Sequence, residues 1–532
     1  MYTDQLHKLK LNLQDEAFIF IDRNYARVNK NDYKSLKSAA FDHILELRGF
    51  ENQKINLETF DWIETGKDRS WWWQIQSLPF LTWFISSCDL QTPEEKVELF
   101  KFCVSSVINW RRSAEHNPNS PLAWHDHATA FRIRNIVNWL VFCWNSGFES
   151  LIAENNSELN IVQAIESHLS WLADDVNYST HTNHGFDQSL ISYTISLYFG
   201  NRFEAYRQQS LVRLTDELSI AFTDQGVHKE NSPGYQKFML ARLNGLINLR
   251  GLGDEAISVK AADYVDKANK FLAAITLPNG ILPIIGDTRW DDQSEPEPLR
   301  SEVIIHDYSK SGYLVAKGKD RSEKEFCLIF KCCHDSNYHR HDDDLSIVLY
   351  YNGSIIFGDG GLYNHNEKDA KRIFIRSPLA HSTPTLPLKA QRDKNKLNAM
   401  PSLSVDDQGV FHGTSYMFGI KTERSIDISK ILDGVITICD KTEAKSLLTS
   451  NFMITDNAEI ESKENIFSLD FGTCQVTVKA INSDSSTGVH RGWDESDVNK
   501  CAIYSKYLGK AEDASRIWFA SATQNVLEVS FK

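Results

Sequence analysis

Apolar residues recur every three to four positions through most of the first 300 residues. Between Glu94 and Arg112 the stripe is Val97, Phe100, Val104, Val107 and Trp110, the spacing of an amphipathic helix. Phe186, Leu190, Tyr193 and Leu197 repeat it, as do Leu211, Leu214, Leu218 and Phe222. Further helices are expected near 71–87, 128–144, 161–173, 235–250 and 258–275, joined by short links holding Pro, Gly, Asn and Asp. The pattern predicts antiparallel helical hairpins in a bundle or a toroid. No fixed-period repeat marks a solenoid.

The period changes after 276. Leu277-Pro278-Asn279-Gly280 is turn chemistry, and Gly286-Asp287 with the Glu/Pro stretch at 295–298 reads as a linker. From Gly312 onward short β-like runs take over: GYLVAK, EFCLIF, LSIVLYY, SIIF, VITICD and CQVTVKA. Turn-forming clusters separate them, which predicts an antiparallel sandwich. The expected plan is a helical domain over 1–300 and an all-β domain over 301–532.

Composition changes this picture little. With 532 residues, two or three domains are expected, and 42% apolar with 24% charged residues is ordinary for a globular chain. A formal charge of −14 argues against a nucleic-acid or anionic-membrane surface, though not against an anionic substrate in a locally basic cleft. No apolar run approaches the ~18 residues of a membrane span. The N-terminus lacks the apolar stretch of a signal peptide, so the chain as written is expected in the cytoplasm, or in the periplasm had a leader been removed. Nine scattered cysteines without a CxxC pair indicate buried thiols rather than disulfides or a zinc ribbon.

Candidate chemistry concentrates in His339-Arg340-His341-Asp342-Asp343-Asp344. Alternation follows it, with Leu345, Ile347, Leu349 and Tyr351 on one face. In extended chain, residues at i and i+2 share a face, so His339 and His341 are expected to look into one pocket. A hairpin through Ser354–Phe357 would return Asp359 beside them, with His381 a further candidate; the set suits a divalent metal, a general base, or both. In the helical half, Asn183-His184 stands where a helix begins, a place that favours an anion such as a substrate carboxylate. The plainer alternative is an Asn cap with a helper His. Glu230 and Tyr235 frame a polar loop leading into a helix, where Tyr235 could donate a proton. Trp124, Arg132 and Arg134 form a third polar-aromatic group. The two arginines lie on different helix faces, so at most one naturally meets a cleft.

Taken in order, these pieces resemble the heparinase II/III-like polysaccharide lyases. The resemblance rests on Asn183-His184, Glu230 with Tyr235, Asn279-Gly280 through Asp287, the His339–Ser346 run, Gly358-Asp359-Gly360-Gly361-Leu362-Tyr363, Arg376 with Ala380-His381-Ser382, and Arg491-Gly492-Trp493. It implies an incomplete (α/α) toroid packed on an antiparallel β-sandwich, with a cleft between them, and cleavage of uronic-acid glycans by β-elimination. Asn183 and His184 would then neutralise the uronate carboxylate. Tyr235 would protonate the departing O4 and, in a syn elimination, take the C5 proton. His339 would be the alternative base. Trp124, Arg132, Arg134, Glu230 and Arg491 complete the expected substrate contacts. His341, Asp359 and His381 match structural metal ligands, usually zinc, and no organic cofactor is implied. Ser382-Thr383-Pro384 departs from the family's Asn-Thr after the histidine. The expected partner is an anionic polysaccharide or oligosaccharide, with no nucleic acid and no membrane.

Two rival readings remain at this stage. A glycan-binding or assembly protein could keep the fold without turnover. A glycoside hydrolase would need two placed carboxylates, for which Glu230 and Asp287 are the appealing pair.

Overall fold

The computed structural model describes residues 2–64, 66–253, 255–333, 336–390, 400–482 and 485–532. Among these, helices dominate up to Ile275 and strands from Ile304 onward. The chain packs as two compact units that do not follow a single boundary. One is Met1–Ala221 with Asn244–Ala261; the other is Phe222–Leu243 with Ala262–Lys532.

The first unit is built from the helices the periodicity predicts, including Pro93–Ser113, Asp126–Asn145, Ile161–Ala173, Asn183–Tyr198 and Glu204–Ala221. Thr92 and Glu95 close a reciprocal capping box at the start of Pro93–Ser113, a device contributing about 1 kcal/mol. The single helix expected over 71–87 is instead two, Arg69–Gln76 and Pro79–Ser86. Pro79 cannot donate into a preceding turn, and Leu78 before it takes a left-handed φ of 53°. The core is strongly aromatic: Phe100 stacks on Trp139 at 5.4 Å and on Phe148 at 4.6 Å, beside fully buried Trp110 and Phe84.

In the second unit a five-stranded antiparallel meander runs in chain order: Ile304–Tyr308, Tyr313–Lys319, Glu325–Lys331, Ser346–Tyr351, Ser354–Phe357. Leu345, Ile347, Leu349 and Tyr351 share one buried face, as the alternation predicts. They pack against Phe411, Ile438, Val529, Phe452 and Phe519, which come from an eight-stranded and a four-stranded antiparallel sheet. The meander's opposite face is buried too, Val315, Ile329 and Val348 lying against Phe271, Leu272 and Ile275. Sheets covered on both sides carry near-continuous apolar strands, and Ser346–Tyr351 is buried at every position.

Two expectations need correction. The first part of the stretch read as a linker is packed structure, since Leu277, Leu282, Ile284, Ile285 and Asp287 are buried, while the Glu/Pro stretch at 295–298 is irregular and partly exposed. Gly286 takes φ 55°, and an added Cβ would lie 2.4 Å from the Asn231 carbonyl oxygen, so only glycine fits there. The His339–Asp344 run is a turn rather than extended chain, and His339 itself is left-handed at φ 53°. All nine cysteines are free thiols, seven of them buried.

Candidate functional site

Each unit carries one constellation of chemistry-bearing side chains. In the first, Thr182 caps the Asn183–Tyr198 helix by accepting from the Gly185 N–H. Asn183 is therefore not the cap, and its amide stays half-exposed at the positive end of the helix dipole. His184 Nδ1 lies 3.0 Å from Asp126 Oδ2, and the Ser179 hydroxyl donates to the same oxygen. That approach requires Gly185, where a Cβ would stand 2.3 Å from the Ser179 carbonyl oxygen. Beside this pair, His127 Nε2 meets Asp187 Oδ2 at 2.6 Å, and the His127 and His184 rings stack at 4.2 Å. Burial alone would raise the Asp126 carboxyl, but hydrogen bonds from His125, His184 and Ser179 outweigh it and hold the pKa far below the ordinary range. The result is a permanent carboxylate that orients His184, with Asn183 alongside.

In the second unit Tyr235 sits in the first turn of the helix that begins at Pro233, and its ring stacks on His339 at 3.7 Å. His339 Nδ1 lies 2.9 Å from Asp287 Oδ2, so with the carboxylate accepting, Nδ1 carries the proton and Nε2 is the basic nitrogen. Nε2 is 3.4 Å from Glu230 Oε2. Asp287 also accepts from His341 Nε2 at 3.0 Å and from both Arg372 terminal nitrogens at 2.5 and 2.8 Å. His339, His341 and Arg372 together hold its pKa well below the carboxylate range, against the raising effect of burial. Burial, with Asp287 and Glu230 nearby, raises the Tyr235 phenol well above its usual value. It therefore rests protonated at neutral pH.

The far side of His341 faces a third group. One ligand atom each from His341, Asp359 and His381 falls within 4.8 Å of the others, and all three residues are fully buried. His341 Nδ1, Asp359 Oδ2 and both His381 nitrogens have no hydrogen-bond partner among the described residues. His381 Nδ1 is 3.0 Å from Asp359 Oδ1, but off the line of a hydrogen bond. Orphaned buried polar atoms on three neighbouring side chains are costly without a cation. Two imidazoles and a carboxylate fit a divalent metal. Fully buried Arg424 braces this group: it pairs with Asp440 and donates to the carbonyls of Leu345 and Ser382, one beside each ligand loop.

The chain as a whole matches a known family. Residues 14–303 match the Heparinase II/III N-terminus and residues 304–410 the Heparinase II/III-like C-terminal region. The chain belongs to the heparinase II/III family. Its fold is similar to a solved heparinase III, at TM-score 0.71 and 13% identity over 95% of this chain and 85% of that one. A mutant of the heparan sulfate lyase HepC from Pedobacter heparinus gives 0.69 at 14% identity, over 95% and 83%. No curated protein sequence gives a significant match. The family's fold, an incomplete (α/α) toroid of helical hairpins followed by an antiparallel β-sandwich, is thereby this chain's fold. Among the described residues no helix is long and apolar enough to cross a membrane.

Within this heparinase II/III member the expected residues sort clearly. Tyr235, His339 and Glu230 come together, as do His341, Asp359 and His381; Asn183 and His184 are neighbours in the other unit. Arg132 is withdrawn from the substrate contacts. It is fully buried, donating to His168 Nε2 and the carbonyls of Gln76 and Ala123, and lying over the Trp110 ring. Trp124 is half-exposed, its indole N–H donating to the Glu115 carbonyl and its ring packing on His168 and Trp171. Arg134 is half-exposed over Phe131. Arg491 is exposed at the end of a strand and touches none of the Tyr235–His339 group.

Three residues escaped the sequence reading. Asp126 was visible only as a neighbour of two histidines. Arg372 had no motif to mark it. Asp287 was read as loop and family-motif chemistry and given a role only as a hydrolase candidate, which the structure removes: with two imidazoles and a bidentate guanidinium on it, its oxygens are committed.

Proposed function

We propose that this protein is a polysaccharide lyase that cleaves a uronic-acid-containing glycan by β-elimination. The observation that carries the reading is the Tyr235–His339 pair: a protonated phenol stacked on an imidazole whose proton is pinned to Nδ1 by Asp287. That is an acid and a base prepared side by side.

Elimination needs the C5–H proton removed, the C4–O4 bond broken with its electrons leaving on oxygen, and a proton delivered to that oxygen. No water is consumed, and C4 and C5 end joined by a double bond. The C5 proton is hardly acidic until charge developing on the uronate carboxylate is stabilised, and preorganised donors supply most of that. Asn183 and His184 are assigned this task. His339 Nε2 accepts the C5 proton, and Tyr235, protonated at neutral pH, gives its proton to O4. Glu230 beside His339 stabilises the imidazolium that forms. His341, Asp359 and His381 would hold a divalent ion, proposed as zinc, whose contribution is to fix the turn carrying His339.

Incubation with glycosaminoglycans, alginate and bacterial exopolysaccharides should give products with the ultraviolet absorbance of an unsaturated uronate. Tyr235→Phe should abolish that signal while oligosaccharide binding persists. Products that have gained water, or turnover retained in Tyr235→Phe, would overturn the assignment.

A further inference from the structure

The first unit contains a groove of about 700 Å³ that no role above uses. It lies among the helices Lys30–Lys37, Arg69–Gln76, Pro79–Ser86 and Asp126–Asn145 and the short strand Ile44–Leu45. Its volume falls in the range of small-ligand sites, about 300–1,000 Å³. We propose that it is a binding subsite for an anionic sugar unit of a glycan, with Trp73 and Phe131 as the ring platform and Arg48 and Arg134 as the anion contacts. The proposal rests on the glycan-lyase reading and adds to it where a second charged sugar is gripped.

Four observations converge. Trp73 and Phe131 meet edge to face at 6.0 Å, and the Trp73 indole N–H has no acceptor among the described residues. Amphipathic rings with an unused donor suit the mixed apolar and hydroxylated faces of a sugar. Arg48 is exposed and its guanidinium has no partner among the described residues. Arg134 lies over Phe131 with its centre 4.3 Å from the ring and reaches only the amide oxygen of Asn135. The acids in the lining are already occupied: Glu46 pairs with Lys34 and Ser35, and Asp32 accepts from Ser86. With Glu46 balanced by Lys34, the two guanidiniums outweigh the single Asp32 carboxylate, leaving one net positive charge in groups well shaped for a carboxylate or sulfate. Finally, Trp73 and Phe131 lie 5.5 and 4.7 Å from the His127 ring, which stacks on His184. The ring platform of the groove thus packs against the stack that carries His184, one of the residues assigned to the reacting uronate.

The test uses the full chain carrying Tyr235→Phe, so that binding is read without turnover. Titration calorimetry with heparan sulfate and alginate oligosaccharides of increasing length compares this protein with versions also carrying Arg48→Ala, Arg134→Gln or both. Each single change should weaken the longer oligosaccharides about tenfold and flatten the salt dependence of binding, while the shortest ligands lose less. A loss confined to heparan sulfate would identify the sulfate as the recognised oxyanion; an equal loss on alginate would identify the carboxylate. Arg48, exposed and unpartnered, can be removed without a folding penalty, so unchanged affinity and unchanged salt slope in Arg48→Ala and in the double variant would overturn the subsite. If wild-type protein forms no unsaturated product yet the arginine variants still weaken binding, the lyase reading fails and the subsite stands. If wild-type protein does form that product while the arginine variants bind oligosaccharides unaltered, the subsite fails and the lyase reading stands.

Discussion

Removing Asp287 is the sharpest probe of how the second unit is held together. The side chain is 3% exposed and accepts four hydrogen bonds, from His339, His341 and both Arg372 terminal nitrogens. In Asp287→Ala the Arg372 guanidinium, itself 2% exposed, loses its buried bidentate partner and keeps only the largely exposed Glu367, 3.8 Å away. Breaking such a pair from one side costs about 3–5 kcal/mol, a large share of a typical ~5–15 kcal/mol stability. His339 also loses the group that fixes its tautomer, so elimination should fall by roughly 10²–10⁴-fold, the usual worth of a placed general base. Denaturant unfolding of the purified variants measures the first effect and initial rates the second. A companion double variant, Asp287→Ala with Arg372→Met, separates burial of a poorly paired charge from simple loss of contacts. Removing both charges should recover part of the stability, because the cost lies in the guanidinium left without its buried partner. A single variant within about 0.5 kcal/mol of wild type, or a double variant less stable than the single, would refute the reasoning.

Other outcomes follow from the same geometry. Asp126 has its folded pKa depressed, so the unfolded chain binds the extra proton first and stability must rise with pH through that window. The contribution is complete above the unfolded carboxylate value of about 3.9 and is lost as pH falls towards the lower folded value. Asp126→Asn should flatten this acid limb in urea melts at a series of pH values, and an unchanged limb would show that the pair contributes nothing. Chelation, or His381→Ala, should release one equivalent of divalent metal by elemental analysis and lower the thermal transition; metal-free preparations with unaltered melting would contradict the fit of His341, Asp359 and His381. Arg132→Ala should destabilise through its buried acceptors, at about 1–3 kcal/mol for each one left unpaired. A rise in KM without loss of stability would restore Arg132 to the substrate contacts.

Helices such as Pro93–Ser113 were legible because they bury one broad face, so the 3.6-residue period survives in the sequence. The Ser346–Tyr351 strand was legible for a different reason: both its faces are buried, yet Ile347 and Leu349 still alternate with Val348 and Tyr350 between two distinct cores. What escaped was whatever depends on long-range closure. Asp287 looked like turn chemistry because a Gly-Asp pair in a loop carries no sign of the two histidines and the arginine that fold onto it from more than fifty positions away. Arg132 looked available because a helical arginine next to histidines reads the same whether it faces solvent or the Trp110 ring. In the histidine run only His341 meets Asp359 and His381, while His339 turns to Asp287 and Tyr235, and the backbone at His339 is a left-handed turn rather than a strand.

Phe222–Leu243 belongs to the same compact unit as the strands, so Tyr235 and His339 share one scaffold, while Asn183, His184 and the Trp73 groove belong to the other. The proposed acid–base pair and the proposed glycan subsite thereby stand on separate units, so changes to the subsite need not disturb the pair. An engineer seeking a new substrate would diversify Arg48, Trp73 and Arg134 and leave the Asp287 hub untouched.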